Sequence, residues 1–462
     1  MDSLIPKPES LILESLSGQL SIECSHIELA QSNSSGLPVN YRGPGTLSLN
    51  NGEFIIKVYS SLPSDGKAPV SGDLGTTVSA GTVIPDSEYF KMTAIAHDGE
   101  RWSAEQVWID ADINHDTRSM LISGSTYEIE QSRQTSLEIN FCRANCLHQN
   151  FKFPCSEFSN HEFGRTRNKS TFTIDNILCS ITIKRRQLEI TMESKESFRE
   201  TFADNLIEAL QIATGQEIKE FHRSTYSNKT FKRTLHAHGH NDTFSALNNP
   251  LPNLRAPWGL SSHVELLSKL IPALDTQSTP HFAQYFRDLI TAYRSGIEAS
   301  ALAFSVAVEG MASRYFKDHG KADKEFAHHC FEAIPLLEEL KNDGRLQPRV
   351  ADRIIKNLQG AGAPTTKNIL YKLFDRSVAD KWNLIRHPAA HGSLLDKNLS
   401  VQKLIDCTMT CKYMYYSMLC AHLKYDGPLN NLTKDGYPST DNEVLKNISQ
   451  CLKADHSVSK GA

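Results

Sequence analysis

The sequence predicts an α+β protein, with an N-terminal β-rich sandwich or barrel-like domain followed by a C-terminal all-α helical bundle. Before about residue 195, short runs of apolar and polar side chains alternate, which is typical of strands with one buried face. From about Ser262 onward, apolar residues recur every three or four positions, which is typical of helices with one buried face. We therefore expect domains at 1–250 and 262–426 and a polar C-terminal tail at 427–462.

The strand signal is clearest in a hairpin around residue 50. Residues 45–49 and 53–59 both read as strands, and Asn51-Gly52 lies between them. Asn-Gly pairs readily adopt the positive φ angles of a two-residue hairpin turn. Other strands are predicted at 18–24, 102–109, 119–130, 137–141, 170–174, 177–183 and 187–192. Strands this short and this regularly spaced indicate a sandwich or a barrel-like module.

The helical pattern begins with one isolated helix and then becomes continuous. Helices are predicted at 195–214, 262–274, 281–295, 298–317, 324–343, 348–359, 365–385 and 401–423. Residues 248–253, which read Asn-Asn-Pro-Leu-Pro-Asn, are interpreted as a linker between the two domains. The chain turns polar after Gly427-Pro428, and we expect about the last twenty residues to be a loosely held tail.

Composition argues against several classes of protein. The net charge of −4 carries no overall signature of polyanion binding, so any contact with nucleic acid must come from local basic patches. The first residues lack the basic and apolar segments of a signal peptide, and no apolar stretch approaches the length of a membrane span. The ten cysteines are scattered and are expected to be reduced thiols. We therefore expect a cytoplasmic protein without a membrane partner.

An arginine and a histidine near the C-terminus are the candidate catalytic residues. Arg386 and His391 are separated by four residues, and Gly392 follows them. A guanidinium group fits a phosphate, and histidine can transfer a proton near neutral pH. The spacing alone is weak evidence, because chance predicts about 2.5 such pairs in a chain of this composition. Comparable pairs are Arg143 with His148, Arg233 with His238 and His240, and Arg314 with His319.

The residues around Arg386 and His391 distinguish this pair from the others. One helix is predicted before Arg386 and another from about Val401. Pro388 lacks a backbone donor, so we expect it to interrupt the first helix and to fit the first turn of a new one. Arg386 and His391 would then flank a break between two helices, where side chains point inward and backbone donors are free.

This element and its flanking helices resemble the HEPN domain (higher eukaryotes and prokaryotes nucleotide-binding). The resemblance covers residues 280–426 and includes an earlier helix that contains Phe304, Val308, Glu309, Gly310, Met311 and Tyr315. It implies a HEPN-like helical bundle that acts as a metal-independent ribonuclease and as a homodimer, with Arg386 and His391 as the catalytic residues. One departure is His387, at a position where the family often has Asn or another small polar residue. This departure leaves the catalytic geometry open.

The order of the domains is similar to that of ApeA-type anti-phage proteins. In that family a β-rich N-terminal region precedes a C-terminal HEPN domain, and the similarity rests on this order and on the hairpin around residue 50. It implies an antiviral defence effector of the abortive-infection or toxin type. The N-terminal domain is expected to sense a trigger that the sequence does not identify.

The expected reaction is cleavage of RNA, with tRNA as one candidate, by attack of the 2′-hydroxyl on the adjacent phosphorus. His391 would transfer a proton, and Arg386 would stabilise the charge that builds on the phosphate. No metal or other cofactor is expected, because no carboxylate cluster with metal-ligand spacing accompanies the pair. One histidine cannot easily serve as both acid and base within a turnover. A two-fold dimer that brings two copies of the motif together is therefore expected.

Glu309 and His387 are candidate auxiliary residues. Glu309 lies in a helix rich in small residues, among them Ala307 and Gly310, which permit close approach of another helix. Its carboxylate could orient Arg386 through a buried, charge-assisted pair. A salt bridge at the rim of the domain is the alternative.

Two other functions stay open at this stage. A catalytically silent HEPN module would be an RNA-binding or dimerisation scaffold in which His387 and His391 only contact phosphate. A metal-stabilised adaptor would use a set of residues with zinc-ligand chemistry, namely Cys142, Cys146, His148, Cys155 and His161. Ordinary buried thiols are the simpler interpretation of that set.

Two surface features are weaker signals. Three histidines, at positions 236, 238 and 240, could bind a metal, but a polar loop is the simpler interpretation. Basic residues at 165–169, 184–186 and 229–233 could form a nucleic-acid or partner surface, but solvated turns explain most of them.

Overall fold

The structure is a computed structural model in which an antiparallel β-rich region precedes a helical region, so the α+β class is confirmed. It describes residues 10–31, 40–61, 86, 89–109, 114–115, 119–161, 164–197, 199, 201–239, 243–252, 258–276, 278, 280–320, 324–359, 365–390 and 400–449. The chain divides into two compact units. Unit 1 comprises Met1–Phe151, Cys155–Ala203 and Ile218–Phe244, and unit 2 comprises Lys152–Pro154, Asp204–Glu217 and Ser245–Ala462.

Unit 1 is built on one long antiparallel sheet. Its elements are α1 (Ser10–Ser17), β1 (Ser21–Gln31), β2 (Asn40–Asn50), β3 (Glu53–Ser61), β4 (Phe90–Ala96), β5 (Arg101–Ile109), β6 (Asn114–His115), β7 (Ser119–Thr126), β8 (Glu128–Gln134), β9 (Asn140–His148), β10 (Glu157–His161), β11 (Gly164–Ile174), β12 (Ile177–Ile183), β13 (Gln187–Ser194), β14 (Ile218–Ser227) and β15 (Thr230–His236). α2 (Thr201–Thr214) begins in unit 1 and continues in unit 2.

Part of this sheet closes on itself as a barrel. The strands follow the order β5-β4-β1-β2-β3-β7, and β7 pairs back onto β5 through Trp108↔Ser125 and Ile109↔Gly124. The inward side chains are apolar and fully buried, including Ile27, Phe54 and Val107. Of the two alternatives expected from the sequence, the barrel is therefore the one that forms. The sheet continues beyond the barrel through β8, β15, β14, β9, β13, β12, β11 and β10.

The hairpin expected around residue 50 is confirmed. Asn50, at the end of β2, pairs with Glu53, at the start of β3, so the turn contains two residues. Both turn residues have positive φ, 49° at Asn51 and 90° at Gly52. This is the conformation for which an Asn-Gly pair is suited, because neither residue strongly resists it.

Two features of the sheet differ from the sequence-based expectation. The single strand expected at 119–130 is two strands, β7 and β8, because Tyr127 separates them and they pair with different parts of the sheet. The hairpin of β14 and β15 was not predicted. Its turn residues, Asn228 and Lys229, have positive φ of 50° and 59°, and a lysine is a weak signal for such a turn.

Unit 2 is helical. Besides most of α2 it contains α3 (Trp258–Leu274), α4 (His281–Arg294), α5 (Ile297–Tyr315), α6 (Lys324–Asn342), α7 (Pro348–Gln359), α8 (Thr366–Leu373), α9 (Arg376–Ala390), α10 (Val401–His422) and the short strands β16 (Leu429–Asn430) and β17 (Ser439–Thr440). α5 is the central helix, because it packs against α4, α8, α9 and α10. Its apolar face, which includes Phe304, Val308 and Met311, is fully buried. No helix among the described residues is long and apolar enough to cross a membrane.

The described parts of the expected linker and of the expected tail, 248–252 and 427–449, are packed parts of unit 2. In the linker, Leu251 is fully buried, and the side-chain amide of Asn430 donates to the backbone carbonyls of Asn249 and Leu251. In the tail, Leu432 and Val444 are buried. About the last twenty residues were expected to be loosely held; the described ones among them end at residue 449, and there the expectation is wrong, because Val444 is fully buried and anchors a mostly polar segment. Residues 204–217 and 245–250 also belong to unit 2, although the expected N-terminal domain reached residue 250.

Candidate active site

The helix expected at 365–385 is divided into α8 and α9. The hydroxyl of Thr365 accepts a hydrogen bond from the Asn368 N–H and caps the start of α8. Phe374 adopts an extended conformation at the end of α8, and its side chain is buried. The Asp375 carbonyl then accepts from the N–H groups of Val378 and Ala379 at the start of α9. This division sets the direction in which α9 carries Arg386.

Pro388 does not interrupt the helix, so the expected break between Arg386 and His391 is wrong. α9 continues through Pro388 to Ala390. A proline can remain in a helix at this place because its fixed φ is helical and only one backbone hydrogen bond is lost. The bond that is lost is the one to the carbonyl of Leu384, so the effect is confined to the last turns of α9, which ends at Ala390. Arg386 therefore lies in the last turns of α9, not on one side of a break.

α5 and α9 contact each other at two successive helical turns. The indole Nε1 of Trp382 donates to the backbone carbonyl of Ser305 at 2.8 Å. One turn further along each helix, Nε of Arg386 donates to Oε2 of Glu309. Because both contacts advance by four residues in the same direction, the two helices run side by side over this stretch. The buried indole fixes the register that brings the charged pair together.

The pair of Arg386 and Glu309 lies at the edge of the helical core, partly open to solvent. The side chain of Arg386 is 25% exposed and that of Glu309 is 36% exposed. Among the described residues, only Nε of the guanidinium has a hydrogen-bond partner, and the two terminal nitrogens have none. These two nitrogens form the parallel donor pair that binds a phosphate in a bidentate manner. Within the part of the chain that the structure describes, Glu309 thus orients the guanidinium and leaves its phosphate-binding edge available.

Gly310 of α5 lies where a side chain of α4 approaches the helix backbone very closely. A Cβ atom at this position would lie 2.2 Å from the hydroxyl oxygen of Tyr285 on α4, so only glycine permits the observed approach. Gly310 therefore serves packing between α4 and α5 of one chain.

The second candidate catalytic residue, His391, and the adjacent Gly392 lie outside the described residues. His387 belongs to α9, but its side chain also lies outside them. Arg386 and the auxiliary residue Glu309 are thus brought together in the structure, and the placement of His391 stays a prediction.

Of the other arginine-histidine pairs, two have a member that is held by hydrogen bonds within the fold, and the third has an exposed arginine. Arg233 is buried in unit 1 and donates to the side chain of Gln131 at 2.9 Å. Both ring nitrogens of His148 are used, Nε2 by the carbonyls of Lys184 and Gln187 and Nδ1 by a backbone N–H. Arg314 is exposed at the end of α5. Of these arginines, Arg314 is the suitable control for substitution, because its replacement leaves no cavity.

The residues considered for zinc do not form a site in the described part of the chain. No group of three or more potential ligands comes together there. Cys146 is fully buried in β9, and burial raises the pKa of its thiol. His148 is held by its hydrogen bonds, and His161 and His240 have side chains outside the described residues. His236 instead pairs with Glu128 at 3.1 Å.

Unit 1 contains a cavity of about 650 Å³ whose chemistry does not suit RNA. Its lining includes four carboxylates, of Glu53, Glu105, Glu128 and Glu130, and contains no lysine or arginine. Negative charge at these positions would repel a phosphate backbone. This cavity is therefore not a candidate for binding RNA.

One buried charged residue was missed in the sequence. Lys412 of α10 is 2% exposed, its Nζ donates to Oδ1 of Asn248 at 3.1 Å, and it lies over the rings of Tyr293 and Phe304. Burial lowers its pKa to about 8. The only local signal is a single lysine in an otherwise apolar and aromatic helix, which does not reveal its partners.

Comparison with known proteins finds no relative. No family model, no curated protein and no solved structure matches this chain.

Proposed function

We propose that this protein is a metal-independent endoribonuclease of the HEPN type, acting as an antiviral defence effector. The observation that carries the proposal is the guanidinium of Arg386, which Glu309 orients at Nε while its two terminal nitrogens face no described partner. His391 follows five residues later in the chain. An imidazole can supply the proton transfer, and a guanidinium the charge stabilisation, that RNA transesterification needs.

In the proposed reaction the RNA supplies its own nucleophile. The 2′-hydroxyl oxygen forms a bond to the adjacent phosphorus, its proton passes to an imidazole, and the bond from phosphorus to the 5′-oxygen breaks. The leaving 5′-oxygen receives a proton, so the products are a 2′,3′-cyclic phosphate and a 5′-hydroxyl. Arg386 binds the non-bridging oxygens and stabilises the charge that builds on them. DNA lacks the 2′-hydroxyl and is not cleaved.

We also propose that the active species is a two-fold dimer. The reason is chemical: one proton must be removed and another delivered, and two copies of His391 divide these roles. Light scattering at micromolar concentration tests this, and an active monomer would contradict it.

The experiment that tests the function is cleavage of bulk tRNA by the purified protein in excess EDTA. We expect cleavage, with cyclic phosphate ends, by the wild type and by Arg314→Ala, and none by Arg386→Ala. Failure of the wild type to cut any RNA, with or without Mg²⁺, would contradict the proposal and favour the silent RNA-binding or dimerisation scaffold. Cleavage that EDTA abolishes and Mg²⁺ restores would contradict the metal-independent mechanism.

A further inference from the structure

The helix α7 carries a stripe of basic side chains that the proposed chemistry does not use. Arg349, Arg353 and Lys356 are all exposed, and Arg345 is exposed in the loop just before the helix. At about 100° per residue, the three helical positions lie within roughly 60° of one another around the helix. We call these four residues the α7 stripe.

The apolar face of α7 is already covered within the chain. Ala351 is fully buried and Ile355 is 8% exposed, and both lie on the side of the helix opposite the stripe. A basic amphipathic helix binds a membrane by inserting its apolar face. That face is unavailable here, so the stripe presents charge without a membrane-inserting surface.

The charge of the α7 stripe is not neutralised by its neighbours. Among the described residues, no carboxylate forms an ion pair with any of the four side chains, whereas the nearby Asp352 pairs with Lys341. Two acidic residues lie close to the stripe, Asp352 on α7 itself and Asp343 in the loop before Arg345, and the others of this region lie on α6, which packs against α7. Those on its exposed surface are Glu325, Glu332, Glu338 and Glu339. Because Lys341 pairs with Asp352, no described carboxylate is left paired with the stripe, and its positive charge is available to an anionic partner within the part of the chain that the structure describes.

The length of the stripe suits a short stretch of nucleic acid. Arg349 to Lys356 spans roughly 10 Å at about 1.5 Å per residue. This equals about three nucleotides of a stacked strand, at about 3.4 Å each. Arg345 extends the row by one further position, and arginine binds phosphate in a bidentate manner.

We propose that the α7 stripe binds the phosphate backbone of the RNA that is cleaved at Arg386, as a docking site separate from the reacting phosphate. This inference rests on the proposed function. The stripe contacts phosphates and reads no bases, so it contributes affinity that depends on salt but no sequence preference. It is not part of the catalytic machinery.

The test compares two triple variants that remove the same charge. The first is Arg349→Gln, Arg353→Gln and Lys356→Gln. The control is Arg314→Gln, Lys317→Gln and Lys372→Gln, which replaces exposed basic residues of the same unit. Glutamine is a good helix former, so we expect both variants to keep the wild-type melting temperature. The affinity for a single-stranded RNA is measured in the His391→Ala background, so that the RNA is not cut, between about 50 and 200 mM salt, the range in which phosphate contacts weaken.

We expect the stripe variant to bind RNA at least about tenfold more weakly at low salt, with a salt dependence reduced by about 2 in log–log slope, or about 0.7 per lost contact. Its kcat at saturating RNA should stay within about twofold of the wild type, and single-stranded DNA of the same sequence should compete equally. Equal weakening in both variants, no change in slope, or a defect only in binding anionic vesicles would overturn the inference. Absence of cleavage by the wild type contradicts the proposed function instead, because binding is measured without turnover.

Discussion

Glu309 is the residue whose substitution tests the candidate site most directly. Its carboxylate receives the Nε–H of Arg386 and so fixes the plane of the guanidinium. Glu309→Ala removes the acceptor and leaves the arginine free to rotate. Glu309→Gln keeps an acceptor oxygen in nearly the same position but removes the negative charge.

The expected loss of stability is small because both side chains reach solvent, Arg386 at 25% and Glu309 at 36% exposure. Ion pairs with such exposure contribute up to about 1 kcal/mol to the free energy of unfolding. In a domain of this size, that corresponds to a fall of roughly 2–4 °C in melting temperature for Glu309→Ala.

The expected loss of activity is much larger. Misplacement of a catalytic group by about 1 Å can cost about 10²-fold in rate. We expect Glu309→Ala to lower the single-turnover rate about 100-fold and Glu309→Gln to stay within about tenfold of the wild type, because the amide oxygen still accepts the Nε–H.

The assay is single-turnover cleavage of tRNA in EDTA, with a melting curve for each variant. Glu298→Ala is the matched control, because it removes an exposed carboxylate from the first turn of the same helix. It should cleave at the wild-type rate. A folded Glu309→Ala variant that cuts as fast as the control would refute the reasoning, since Arg386 would then need no orientation.

Three further predictions concern catalysis, packing and pH. His391→Ala should abolish cleavage while its melting temperature and RNA affinity stay near those of the wild type; cleavage at the wild-type rate would contradict the assigned role. Gly310→Ala should destabilise unit 2 by about 1–3 kcal/mol in chemical denaturation, because the new Cβ meets the Tyr285 hydroxyl; an unchanged midpoint would contradict this contact. Burial lowers the pKa of both His222 and His263 from 6.5 to about 4. Because the folded state holds these rings neutral, their contribution to the free energy of unfolding is complete above about pH 6.5. It is lost as pH falls towards 4, by up to about 3 kcal/mol for each histidine. Denaturation at pH 7 and pH 4.5 measures this, and replacing His263 with Gln should reduce the difference between them.

The sequence by itself determined the features that depend on neighbouring residues. The turn at Asn51-Gly52 follows from the φ angles those two residues tolerate, and the bounds of α7 follow from its periodicity and from Pro348 at its start. The candidate pair of Arg386 and Glu309 was also named from the sequence, because a carboxylate among small residues in one helix suggested an oriented arginine in another.

Only the tertiary structure decided how distant segments combine. Trp382 donates a hydrogen bond to Ser305, and Arg386 donates one to Glu309, each across 77 residues of sequence. No local pattern encodes this register of α9 against α5. The choice of a barrel over a sandwich depends on the pairing of β5 with β7. The backbone at Pro388 stays helical, and α9 continues to Ala390, although proline is a local signal for a break. Residues 427–449 look polar in sequence but pack, because burial depends on which surface a segment meets and a few apolar side chains suffice to hold it.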